Sequence, residues 1–190
     1  MKDVLSELKE VLEHASVLAD EVARKQEAVT TQEAETLTRL IELVQPILPA
    51  VGEKIPVAAH HSGHQLHNWR YEYLKRPGLV LVDGFDREYT DRDWRGEYTG
   101  SRLVLTADGL LDILRYGRWS AVQGEVSFWN SDEKPLTPRQ AVETYDFADI
   151  VSGLAREIKA SAEKQERRAQ ELEERLKVLQ QVQAALKGSG

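Results

Sequence analysis

The residues most suggestive of chemistry are the histidines of His60-His61-Ser62-Gly63-His64-Gln65-Leu66-His67, four of the five in the chain. Neutral imidazoles ligate zinc, copper or nickel, and His60, His64 and His67 would share one face if the segment were helical. Gly63 opposes such a helix, and neither cysteine nor a regularly spaced carboxylate assists. The favoured reading is a polar linker entering a strand, with no resident metal or other cofactor.

Carboxylates crowd Asp83-Gly84-Phe85-Asp86-Arg87-Glu88-Tyr89-Thr90-Asp91-Arg92-Asp93. A calcium loop started at Asp83 would place Phe85 and Arg87 where oxygen ligands are needed, and it lacks the glycine of the sharp turn. The interleaved arginines suggest solvated ion pairs on a hairpin instead.

Aromatic and basic residues sit together in Trp69-Arg70-Tyr71, Arg92-Asp93-Trp94-Arg95 and Arg115-Tyr116-Gly117-Arg118-Trp119. Such pairs stack on single-stranded nucleic acid, but acidic neighbours cancel the field that would attract a phosphate backbone. A protein-contact surface using Trp94, Arg95, Tyr116 and Trp119 is the stronger expectation, because large groups in glycine-rich turns are hard to bury fully. No nucleophile elbow, phosphate-binding glycine loop or His-Glu-x-x-His sequence occurs, so the chain reads as a non-enzyme.

These groups must be positioned by a chain of 190 residues with a net charge of −7. Residues 1–50 carry 5 basic and 10 acidic side chains, whereas 51–135 carry 11 and 13 and hold all four tryptophans. That balance disfavours nucleic acid as a partner. The lack of cysteine removes disulfides and thiolate chemistry, and no apolar stretch approaches the roughly 20 residues of a membrane span, so a cytoplasmic protein that does not engage membrane is expected.

Apolar residues at Val4, Leu8, Val11, Ala15, Leu18 and Val22 recur in fours and threes, the period of a coiled-coil face. After a polar lapse the pattern resumes at Leu37, Leu40, Ile41 and Val44, predicting an N-terminal coiled-coil helix over 1–48, interrupted near Thr30-Thr31. Thr30 with Glu33 would form a capping box there. Residues 49–64 read as a Pro/His-rich linker.

A second start, Thr137-Pro138-Arg139-Gln140, opens a C-terminal coiled-coil helix over 137–187, and Asp146 could cap a further start inside it. Its seam runs Val151, Ala155, Ile158, Ala162, Gln165, Ala169, Leu172, Leu176, Leu179, Gln183 and Leu186. An antiparallel pairing that matches Val4 with Leu186 places Val11 near Leu179, Leu18 near Leu172 and Lys25 near Gln165.

Between the helices, 65–130 reads as an antiparallel β-meander of about five strands, with Asp108-Gly109 as its clearest hairpin turn. The expected fold is therefore α+β: long N- and C-terminal helices pairing as an antiparallel coiled coil or bundle, with an inserted β domain. Leu5, Leu12 and Ala19 beside one seam, and Val178, Val182 and Ala185 beside the other, widen both stripes beyond what two helices cover, predicting a homodimer. The functional expectation is a structural or adaptor protein whose coiled-coil stalk presents the β domain to a protein partner. The alternative is a metal-dependent or single-stranded nucleic-acid-binding protein centred on that domain.

Overall fold

A computed structural model describes residues 2–61, 69–84, 86–89, 95–120 and 127–188. Helix α1 spans Lys2–Val44 without a break. The expected interruption at Thr30-Thr31 is absent, and the neighbouring threonines satisfy their hydroxyls within the helix. Thr31, Thr36 and Thr38 donate to the carbonyls of Glu27, Gln32 and Ala34, each at 2.8 Å. Such back-bonding removes the incentive to cap a new start, and the alanines and long polar residues around them favour continuation. Pro46 ends the helix, and a single turn, α2 (Leu48–Val51), leads into Gly52.

Seven strands follow: β1 Pro56–His61, β2 Trp69–Tyr73, β3 Gly78–Asp83, β4 Asp86–Tyr89, β5 Arg95–Thr106, β6 Gly109–Ser120 and β7 Ser127–Leu136. The sheet therefore begins inside the expected linker and runs past residue 130. Its order is β2-β1-β7-β6-β5-β3, with β4 on the same flank of β5 as β3 but farther along. Among the described strands only β5-β6-β7 run as a meander. Strand β1 returns to pair with β7, Ala59 opposite Trp129, and this long-range closure replaces the simple up-and-down order.

The β5–β6 ladder is twelve rungs long and turns at Ala107-Asp108. There Gly109 has φ 120°, a conformation that disfavours any side chain, and the Thr106 hydroxyl donates to its carbonyl at 3.0 Å. At this end the sheet curls enough for Glu53, just ahead of β1, to exchange two backbone hydrogen bonds of 2.9 Å with Gly78 of β3.

Alternation splits the sheet between two cores. Leu79, Leu81, Leu103, Leu105 and Leu110 face the helices and pack with Leu37, Ile41 and Val44 of α1, Leu48 of α2, and Ala141, Ile150 and Leu154. Ile55, Val104 and Ile113, with Val57, Leu74, Val80 and Leu111 around them, fill the inside of the curl.

The C-terminal helix is divided. Thr137 caps α3 (Pro138–Thr144) in a complete capping box with Gln140. The chain then extends at Tyr145, and the Asp146 carboxylate accepts the amides of Ala148 and Asp149 at 2.8 and 3.2 Å to start α4 (Phe147–Gly188). Near its start α4 lies against β3. A Cβ on Gly153 would stand 1.7 Å from the Leu81 carbonyl oxygen, so only glycine permits this approach.

Among the described residues the expected coiled-coil pairing of the two long helices is not seen. They are not packed along their length, and the seam is open: Val11 is 64% exposed, Leu18 46%, Leu172 56% and Leu179 58%. The cause lies at the base. Helix α1 is fastened beside α3, where Arg139 grips Glu27 with two bonds of 2.9 and 2.8 Å. Helix α4 is fastened along β3 and on to the β1 lead-in, where Lys164 reaches Glu53 at 2.7 Å and Gln165 donates to the Ala50 carbonyl at 3.1 Å.

Candidate functional site

The aromatic-basic residues lie in strands, not in turns as expected. In the β5–β6 ladder Arg95 pairs with Ser120, Gly96 with Trp119 and Thr99 with Tyr116. Trp94 lies outside the described residues. The glycines that suggested turns are rungs of the sheet: Gly117 stands opposite both Tyr98 and Trp129, and Gly96 opposite Trp119. A glycine across from a large residue gives it room without ending the strand. The register thus gathers Arg95, Tyr116 and Trp119 toward the end of the β5–β6 ladder away from the Asp108-Gly109 turn, and Tyr116 is exposed there.

The histidine face is not formed as a helix. His60 is an exposed residue of β1, paired with Arg70 and Phe128, and a strand sends consecutive side chains to opposite faces. His64 and His67 lie outside the described residues. Among the described residues no group of three or more His, Asp or Glu is arranged to hold a metal ion.

The acidic stretch contributes one residue to a polar cluster not legible from spacing. Asp83 accepts from Arg102 at 2.8 Å and from Arg115, which also donates to the Gly84 carbonyl at 3.1 Å. Arg115 is buried, beyond Ile113 on the same face of β6. Both oxygens of the carboxylate are engaged by guanidiniums, which suits a clamp between β3, β5 and β6 better than a general base. Ladder register brings these residues together, since Asp83 pairs with Arg102 while Arg115 lies two residues past Ile113, the partner of Arg102. Local sequence carries no trace of it.

On the helix side, the Tyr145 hydroxyl donates to Asp112 at 2.7 Å. Burial, opposed by a hydrogen bond with Ser101 and reinforced by Asp112, pushes this phenol up to about 12. It remains a neutral donor at physiological pH and joins the α3–α4 junction to the sheet.

A cleft of about 400 Å³ opens between Tyr73, Leu74, Thr106 and Leu111. Lys75 and Arg76 face Asp108 and Glu133 around it, and an Arg76–Asp108 ion pair crosses between β2's end and the β5–β6 turn. With two charges of each sign the cleft has no net field to select an anion or a cation.

Among the described residues, exposed large apolar side chains are concentrated on the two helices. Val11, Leu12, Val17, Leu18 and Val22 of α1 and Leu172, Leu176, Val178, Leu179 and Val182 of α4 are all about half exposed or more. Isolated exposed apolar residues are ordinary, but a stripe at helical period along several turns marks an interaction face. No described helix is long and apolar enough to cross a membrane. Comparison with protein-family models, curated proteins and solved structures yields no match.

Proposed function

We propose that this chain is a structural or adaptor protein that carries its β head on two helical arms and works by binding other protein surfaces. The observation that supports this is the pair of apolar stripes left open on α1 and α4 while the head completes its own cores. Covering one exposed leucine is worth roughly 1.5–3 kcal/mol, so a protein partner that covers both stripes gains substantially. On the head, the displayed surface is the face of β6 that carries Tyr116 and, two residues on, Arg118, where an exposed aromatic and a basic residue suit a protein contact.

Site-specific photo-crosslinking in the native host tests this reading, with the reactive group at Tyr116 for the head and at Leu18 for the arms. Protein adducts from both positions, with the Tyr116 adduct reduced by Arg118→Ala while the circular dichroism spectrum is kept, are the expected result. A head that captures no protein, or an Arg118→Ala chain that loses its fold, would overturn the display role.

A further inference from the structure

We infer that a second copy of this chain covers the arms, with α1 of one copy packed antiparallel against α4 of the other. The inference rests on the arms being protein-binding surfaces and adds the identity of the occupant. Three observations select it.

The first is length. The last ties to the base are Glu27 on α1 and Gln165 on α4, leaving arms of residues 2–26 and 166–188. At 1.5 Å per residue these extend about 37 and 34 Å, so each can cover the other from end to end.

The second is seam order. Leu18 of one arm can sit beside the Leu172–Leu176 turn of the other, Val11 beside Leu179, and the polar Lys25 beside Gln165 at the base. Large apolar residues then meet large ones, and polar meets polar.

The third is charge. Over the arms themselves, residues 2–26 carry 4 basic and 6 acidic side chains, whereas residues 166–188 carry 5 and 4. Pairing the α1 arm with another α1 arm would set net −2 against net −2, while pairing it with the α4 arm sets −2 against +1. Like charges along a shared face disfavour the first arrangement, and the second relieves them. The chain's own α4 does not fill the place, because the anchors at Arg139 and along β3 hold the two helices apart at their bases.

The chain has no cysteine, so single introduced thiols report one position each. Leu18→Cys and Leu172→Cys chains are purified separately, mixed, and treated with a short thiol-specific bifunctional crosslinker, while light scattering gives the mass of the unmodified protein. Both positions are exposed, so the substitutions spare the fold. The inference expects a mass about twice 21.5 kDa. It also expects several-fold more interchain product in the mixture than in either variant alone.

A 21.5 kDa particle in which a Leu18→Cys/Leu172→Cys double variant links only within one chain would overturn it. Equal crosslinking by Leu18→Cys alone would overturn it too, by showing α1 against α1. A monomer whose Leu18 position still captures a different host protein would remove the second copy while leaving the arms as protein-binding surfaces.

Discussion

Gly153 is a residue whose type is dictated by a neighbour's backbone. Its missing Cβ is what lets α4 reach the Leu81 carbonyl, and adding one atom at 1.7 Å must displace the helix or the strand. Gly153→Ala improves helix propensity, yet the steric term dominates, and a loss of about 3 kcal/mol in urea unfolding is expected. An unchanged midpoint would show that α4 can sit farther from β3. From the sequence alone Gly153 reads only as a weak helix former, since nothing local records a strand packed on the helix. Tyr145 makes a second test. Its phenol is raised in the folded chain, so the stability it contributes is complete below pH 10 and is lost as pH rises toward about 12. Ultraviolet difference absorbance should show a phenol titrating near 12 that Tyr145→Phe removes. If the titration is the same in both proteins, the Tyr145 phenol is not held in its buried site against the sheet.

Element boundaries were legible where a few adjacent residues decide them. Thr137-Pro138-Arg139-Gln140 and Asp108-Gly109 each carry their hydrogen-bond partners within three residues, and both work as read. Thr137→Ala should therefore cost about 1 kcal/mol, measured by thermal or urea unfolding. Strand β1 was not legible, because Pro56-Val57-Ala58-Ala59-His60-His61 has little β character of its own. Its alanines are buried between β2 and β7, and tertiary pairing supplies what propensity lacks. The polar end of β7 was hidden for the opposite reason, since Asp132, Glu133 and Lys134 face solvent and look like a loop. For α1 the period was legible but its partner was not, as anchors at the base decide where a helix points. Arg139, through its hydrogen bond and its charge, holds the Glu27 carboxyl below the usual carboxylate range. That contribution is present above the ordinary carboxylate pKa and lost as pH falls through the lowered one. The protection of the amides around Glu27, with exchange referred to its slower intrinsic rate in acid, should accordingly fall as pH is lowered, and Glu27→Gln should produce the same loosening at neutral pH. Exchange unaffected by either change would mean that the pair does not anchor α1.

At the scale of the molecule, α1 belongs to two environments. Leu37 is fully buried under the sheet, whereas Leu12 is 61% exposed on the same helix. Leu37→Ala should cost roughly 2–5 kcal/mol and shift the circular dichroism and tryptophan fluorescence transitions together, because helix base and sheet share one core. At concentrations low enough to keep the chain monomeric, Leu12→Ala should move the head's fluorescence transition by less than about 0.5 kcal/mol. Separated transitions in the Leu37 variant would mean that the sheet stands without α1. The α+β class and the helix–sheet–helix order could be read from periodicity, while the return of β1 to β7 could not, because it joins residues far apart in the chain. That return also bears on how the molecule comes into being. Loop closure makes β5-β6-β7 the portion able to form quickly, and the Ala59–Trp129 pairing must wait for it. On a ribosome, α1 and β1 emerge long before Trp129 exists, so β1 has no β7 to join for much of synthesis. The apolar face of α1 is presented to the cell throughout that interval, which makes the nascent N-terminal half the stage at which this protein most needs a chaperone.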